Sequence, residues 1–444
     1  MSDSFGLPKD LGNGLHLRWA TPADTEALAA FNVRIHSDNP EEPETWLTHW
    51  TKDLMRGDHP TTRASDFTVV VDENAGGKIV SSLNLISQTW LYEDIPFGVG
   101  RPELVATDPA YRRQGLVRQQ MTAVHAKSAA RGELVQAITG IPWYYRLFGY
   151  GMALDLGGGR DFLWDRPGND TKVEEEAYQI RPATEADWPT LQPLYEAHNR
   201  GALISRQRDE ATWRYELTIP HPTSVYARHF YLVEAAATAQ PVAYVEYKQF
   251  GNTYYVRELG VRPDHSWRAV GLYLTRYFKK LADVLVEKEE KRLRGVSFGL
   301  GIGHPIYEAL GRQLEEQRRP YAWYLRVPDL PAFLRHIAPV LEKRLAQSVL
   351  AGHSGTCRVN LYQQQFTLVF AQGKLQEVGS YEPKHVEDGD LHFPDSTFLS
   401  LLFGRNSWEE LNAVHADCFP RTAEAAVLAS ILFPKKPSWV VGLG

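Results

Sequence analysis

Three pairs of segments in this 444-residue chain match one another in the same order. The stretch 17-LRWATPAD-24 pairs with 180-IRPATEAD-187, 105-VATDPAYRRQGLV-117 with 259-LGVRPDHSWRAVG-271, and 145-YRLFG-149 with 307-YEALG-311. The offsets are 163, 154 and 162 residues. Recurrence at near-constant spacing implies a tandem duplication, so the chain is expected to build one αβ unit twice. In each copy a strand ends at a Thr with Asp three residues on, which makes Thr21 and Thr184 the expected acceptors for unpaired amides of a helix. A later strand then runs through a proline loop into a second helix.

Length alone calls for two or three domains. The Pro-, Gly- and charge-rich run 165-DRPGNDTKVEEE-176 reads as a linker between the copies. Beyond the second copy, 357-CRVNLYQQQFTLVFAQGKLQEV-378 alternates with period two, placing Phe366, Leu368 and Phe370 on one face before a Gln372-Gly373 turn. Helical patterns over 328–348, 395–404 (with Asp395 as cap) and 422–433 surround this hairpin, predicting a third, α+β region. The expected division is 1–165, a linker at 166–177, 178–328 and 329–444.

Composition narrows the function classes. The chain is 43% hydrophobic and 23% charged, with a net charge of −6, which argues against a nucleic-acid partner. Two cysteines, Cys357 and Cys418, are too few for a disulfide framework, and His353-x3-Cys357 has no second ligand pair, so no metal is expected. Neither a signal-peptide pattern nor an apolar run approaching ~20 residues occurs, so a cytoplasmic protein without a membrane span is expected.

The most informative stretch is 104-LVATDPAYRRQGLVRQQMTAVHAKS-128. A helix N-terminus offers unpaired amides and a partial positive charge. A glycine there admits an anion to the backbone, and arginines add forked donors suited to phosphate. The loop from Arg112 to Arg118 therefore reads as a pyrophosphate cradle, with Val117, Met121 and Val124 as the buried face of the following helix. It lacks the Gly-Lys-Ser/Thr of a P-loop and the three glycines of a dinucleotide fingerprint.

This stretch, with 139-TGIPWYYRLFGYG-151, resembles the GNAT superfamily of N-acetyltransferases, in which an R/Q-x-x-G-x-G/A loop binds the pyrophosphate of acetyl-CoA. Over nearly the whole chain the layout is similar to the enhanced-intracellular-survival (Eis) type. That likeness implies a mixed α/β (α+β) fold class: tandem GNAT folds, the second degenerate, followed by a sterol-carrier-protein-like α+β domain. It further implies acetylation of aminoglycoside-like polyamines or protein lysines, and homo-oligomers, often hexamers.

Carried over by this resemblance, Val105, Ala106 and Thr107 supply backbone groups to the coenzyme, the Val105 amide being the oxyanion donor. Arg112, Arg113, Gln114, Gly115, Leu116, Val117 and Arg118 form the pyrophosphate loop. Gly140 and Ile141 lie where the neighbouring strand would touch the coenzyme. Tyr145 stands at the general-acid position; a phenol with a pKa near 10 is protonated at neutral pH and can donate to a departing thiolate. Glu103 or the C-terminal carboxylate of Gly444 is the candidate base, with a water path as the third option. The second copy has Ser266, Trp267 and Ala269 where the first has Arg112, Arg113 and Gly115, so it is expected to bind no coenzyme. The expected activity is acetyl transfer to a primary amine; a coenzyme-sensing or apolar-ligand carrier and an enzyme for longer acyl groups are the alternatives.

Overall fold

The computed structural model describes residues 5–39, 41–169, 173–218, 224, 227–287, 292–394 and 396–442. Its first segment carries strands β1 (Lys9–Gly12) and β2 (Leu15–Trp19), helices α1 (Thr25–His36) and α2 (Trp46–Arg56), and strands β3 (Phe67–Asp72), β4 (Lys78–Tyr92) and β5 (Ile95–Thr107). Helix α3 (Leu116–Ala130), β6 (Val135–Ile138), β7 (Gly151–Leu156) and β8 (Arg160–Leu163) follow. Next come β9 (Tyr178–Pro182), α4 (Trp188–Asn199), β10 (Ile204–Arg206), α5 (Glu210–Thr218), β11 (Phe230–Ala235), β12 (Pro241–Phe250) and β13 (Thr253–Val261). Helix α6 (Trp267–Glu287), β14 (Gly295–Phe298), α7 (Pro305–Leu310) and β15 (Tyr321–Arg326) come next. The remainder holds α8 (Leu330–His336), α9 (Ala338–Ala346), β16 (Gly355–Asn360), β17 (Gln365–Ala371), β18 (Lys374–Ser380), β19 (Leu391–His392), α10 (Thr397–Leu402), α11 (Trp408–Val414) and α12 (Ala423–Leu432).

Two compact units form, neither continuous in sequence: Met1–Leu154, Leu203–Gln207 and Ala322–Ser438 make one, and Asp155–Ala202, Arg208–Tyr321 and Trp439–Gly444 the other. The first unit contains a sheet in the order β1-β2-β3-β4-β5-β6-β15-β7, with β10 also paired to β4. Its two faces are covered differently. Ser81 hydrogen-bonds Gln120 of α3 at 2.7 Å, whereas Ser82, facing the other way, donates to Asn32 of α1 at 2.9 Å. The same unit holds a four-stranded sheet, β18-β17-β16-β19. Phe366, Leu368 and Phe370 share its buried face, and Gln372 and Gly373 turn the hairpin with φ +48 and +77. Asp395 lies outside the described residues.

The second unit is built on a six-stranded sheet, β8-β14-β13-β12-β11-β9. Its core packs Val270, Leu274 and Phe278 of α6 against Val245, Val256, Val296 and Phe298 of the sheet. The strand-to-helix corners of the two units share one device, a capping box between each Thr and the Asp three residues on. Asp24 accepts the Thr21 amide at 2.7 Å and hydroxyl at 3.0 Å, and Asp187 accepts both groups of Thr184 at 2.8 Å. The carboxylate is the acceptor because Arg18 and Arg181 anchor it: the Arg18 bonds are both 2.8 Å, the Arg181 bonds 2.9 and 2.8 Å.

Buried charge also organises the second unit. Arg208 binds Glu258 through two 2.6 Å bonds and Glu216 at 3.0 Å, with Trp213 and Tyr195 stacked on its guanidinium at 4.8 and 4.6 Å. Removing one partner strands the other charges in a low dielectric. Arg208→Ala is expected to lower the unfolding free energy of this unit by about 3–5 kcal/mol, read from tryptophan fluorescence in urea.

Candidate active site

Strand β5 is longer than its partner allows. It pairs with the parallel strand β6 only at Val99–Val135 and Gly100–Gln136, although β5 continues to Thr107. Gly100 sits at this last paired position because a Cβ there would meet Ser128 Oγ at 2.4 Å and Glu133 Oε2 at 2.3 Å. Beyond it, β5 carries a bulge: its register against β4 slips between Ser82 and Asn84, and Leu104 takes a left-handed φ of +51. Strand β6 is instead held on its other edge by β15, with Ile138, Ala137 and Gln136 opposite Tyr324, Leu325 and Arg326.

The divergence leaves a row of peptide groups facing an open edge. Asp108 donates its amide to Val80 of β4 at 2.9 Å, and Ala106 accepts the Ser81 hydroxyl at 2.9 Å. Alternate residues face opposite edges, so the amides of Val105 and Thr107 face away from β4, toward the gap. The Thr107 carbonyl on that edge takes Arg112 Nε at 3.3 Å.

The loop at the end of the gap combines two left-handed residues, Arg113 (φ +64) and Gly115 (φ +75), before α3 begins at Leu116. Gly115 is the helix N-cap in a conformation that disfavours any side chain. Arg112, Arg113, Gln114 and Arg118 are exposed, Leu116 is buried and Val117 half-buried; Arg118 lies over the Phe148 ring at 5.6 Å.

Tyr145 stands on a short turn, Tyr144–Phe148, in a cluster that joins β4, β5, β6 and α3: Leu83, Leu85, Met121, Ile138 and Tyr324 surround it, with Val105 and Val117 against them. Its hydroxyl has no hydrogen-bond partner among the described residues and lies 3.9 Å from where a Cβ of Gly140 would stand. Burial, then the neighbouring charge of Glu103, push the phenol far above its usual pKa and hold it protonated. Glu103 is itself buried, bound by the Nη2 of Arg101 at 2.5 Å; burial raises its pKa against the opposing pull of Arg101.

Not every expected residue is placed as the sequence suggested. Gly140 (φ +116) and Ile141 lie past the end of β6, both exposed, because the left-handed glycine turns the chain off the strand. Gly444 lies outside the described residues. Sequence reasoning missed Arg101, stacked on Trp323 at 4.9 Å, and Tyr324, which accepts the Trp143 amide at 2.7 Å from 181 residues away. Among the described residues, no group of three or more His, Cys, Asp or Glu is placed to hold a metal ion, and no helix is long and apolar enough to cross a membrane.

In the second unit the matching strand also outruns its parallel partner: β13 continues to Val261, but its pairing with β14 ends at Val256. Strands β13 and β14 pair from Thr253–Gly295 to Val256–Phe298, and Gly299 extends the contact by donating to Val256 at 2.9 Å. Tyr307, matched to Tyr145 in sequence, donates to the Phe298 carbonyl at 2.8 Å and accepts the Leu300 amide at 3.0 Å. His304 Nε2 lies 3.2 Å from the Leu259 carbonyl. Side chains of the unit itself thus satisfy the backbone there.

Residues 18–153 match the family model described as the acetyltransferase (GNAT) domain. Among solved structures, a GCN5-related N-acetyltransferase from Kribbella flavida is similar over 96% of this chain and 97% of its own, with a TM-score of 0.64 and 16% identity. One from Anabaena variabilis is similar over 96% and 98%, with a TM-score of 0.62 and 14% identity. Eis1 from Mycobacterium abscessus is similar over 97% and 100%, at 0.60 and 16%. No curated protein is similar in sequence. The chain therefore has a mixed α/β fold of the GNAT acetyltransferase kind.

Under the tyrosine cluster, the half-buried His125 shares a 2.7 Å hydrogen bond with Tyr150, and burial, aided by the charge of Arg326, pushes its pKa from 6.5 to about 4. The folded state thus refuses a proton that the unfolded chain binds below 6.5. Stability from this group is full above pH 6.5 and is lost as pH falls toward about 4, up to about 3 kcal/mol. Urea melts across that window are expected to show a flatter pH dependence for His125→Gln than for the wild type.

Proposed function

We propose that the chain is an N-acetyltransferase that moves the acetyl group of acetyl-CoA to a primary amine, an aminoglycoside-like polyamine or a lysine. The observation carrying this reading is the open edge of β5, where the Val105 and Thr107 amides have no partner strand while a left-handed, arginine-bearing loop and a protonated phenol stand at its two ends. In this reading residues 1–165 form the catalytic GNAT domain, 178–328 a degenerate copy, and 329–444 a sterol-carrier-protein-like domain.

The residues fit such a cosubstrate. An extended pantetheine arm would complete the unpaired edge of β5 as an added strand, and the absence of a side chain at Gly115 leaves the amides before α3 open to a diphosphate. Acetyl-CoA supplies a thioester carbonyl. The chain's own part is electrostatic: the Val105 amide stabilises negative charge on the carbonyl oxygen, Arg112, Arg113 and Arg118 with the loop amides hold the pyrophosphate, and Tyr145 gives its proton to the leaving sulfur. The Glu103 charge keeps that phenol protonated until the thiolate forms. The bonds that Tyr307 and His304 make to backbone groups in the second unit support one site per chain.

Thiol release from acetyl-CoA across aminoglycosides, polyamines, amino acids and lysine peptides tests the reading. Tyr145→Phe is expected to reduce kcat by roughly 10²-fold or more with acetyl-CoA affinity unchanged. Coenzyme binding without turnover on any amine would point instead to a carrier or sensor.

A further inference from the structure

The buried charges of the second unit balance one another, and one cation stands outside that balance. Arg208 is bound by Glu258 and Glu216. Arg257 donates Nε to Glu246 at 2.7 Å and Nη2 to the other oxygen of the same carboxylate. Arg228 lies 3.7 Å from both Glu246 and Glu258. Every carboxylate of this network is thus already held by a guanidinium.

Lys248 follows Glu246 on the same face of β12, about 7 Å along the strand. Among the described residues its ammonium meets an aromatic ring rather than an acid: Nζ lies 5.5 Å from the centroid of Phe250, and both residues are exposed. Tyr255, directly opposite on β13, offers a phenol, and Asp161 on β8 is taken by Arg318. Lys52, Lys279, Lys374 and Lys435, in contrast, each meet a carboxylate, at 2.8, 2.5, 2.8 and 2.6 Å.

This setting decides how readily the amine attacks. A carboxylate paired with an ammonium holds the proton on nitrogen, whereas a guanidinium nearby pushes it off. The acid two residues from Lys248, Glu246, is engaged by Arg257 and Arg228. The lysine pKa accordingly falls, through partial burial and then the Arg257 charge, against a weaker lift from Glu246. More of Lys248 is therefore the neutral nucleophile near neutral pH, and its exposure lets a donor reach it.

We propose that Lys248 is an acylation site of this chain, taking the acyl group of a thioester by direct attack. The step needs neither the arginine loop nor Tyr145, so it stands apart from the acetyl-transfer reading above. The ammonium gives one proton to solvent, and the Nζ lone pair forms the C–N bond to the thioester carbon while the carbonyl π pair moves onto oxygen. As that pair returns, the C–S bond breaks and the departing sulfur takes a second proton from nitrogen. The products are an acylated lysine, a thiol and one proton. Acylation removes the one uncompensated charge and leaves the arginine–glutamate network as it is.

The test exposes the full chain to S-acetyl-N-acetylcysteamine, a small thioester without the diphosphate that the arginine loop would hold, and follows acetylation of each lysine by mass spectrometry. Lys248 is expected to react several-fold faster than Lys343, exposed on α9, and than the ion-paired Lys279. Its rate is expected to level off at a lower pH than theirs. In urea the three are expected to react alike. R257M frees Glu246 for Lys248 and, in protein whose folding is checked by tryptophan fluorescence, is expected to slow Lys248 to the pace of Lys279. Lys248 reacting no faster than Lys343 in the folded wild type, or keeping its lead in urea, overturns the assignment; an undiminished lead in folded R257M overturns the part given to Arg257. A chain that shows the Lys248 lead but turns over acetyl-CoA with no amine supports this inference while overturning the acetyl-transfer reading.

Discussion

A single peptide unit, Leu104–Val105, sets the character of the first sheet. A residue inserted opposite Leu83 forces Leu104 into a conformation that a branched apolar side chain resists. The bulge turns β5 away from β6, and every feature of the candidate site follows from that divergence. Amides that would have been spent on a sheet ladder stay available, the helix that follows presents its N-terminus to the opening, and the phenol of Tyr145 reaches the space between the strands. The carbonyl of the same peptide accepts the Ser82 hydroxyl at 3.4 Å.

The two units share one corner and differ in what lies beside the strand that follows. Both keep the Arg-Thr-Asp corner, with near-identical bond lengths. What differs is where the tyrosine of the matching turn finds its partners. Tyr307 bonds the backbone of the strand end and the loop after it, whereas Tyr145 has no such bond. The matching loop has Ser266, Trp267 and Ala269 where the first has Arg112, Arg113 and Gly115.

Much of the local structure was legible in the sequence, because it depends on neighbours within a few positions. The duplicated corners, the arginine loop, the buried stripe of α3 and the hairpin over Phe366–Phe370 all follow from spacing. Even there the detail escaped: the capping boxes at Thr21 and Thr184 follow from the pattern, but not the arginines that anchor Asp24 and Asp187. The site proper was less legible. Nothing in 101-RPELVAT-107 announces a bulge, since bulges arise from how two strands meet. Glu103 was marked as a candidate base but not its burial beside Arg101, and the contributions of Tyr324 and Trp323 depend on pairing with a strand encoded far downstream.

That distant strand has a consequence for how the protein is made. The first sheet gains its place between β6 and β7 only when β15 arrives, and Tyr324 meets Trp143 across 181 residues of intervening chain. At ~5–20 residues per second, a nascent chain carries every residue of the arginine loop and the Tyr145 turn for on the order of ten seconds or more before their sheet can be finished. During that interval the exposed edge of β6 is a template for the wrong strand.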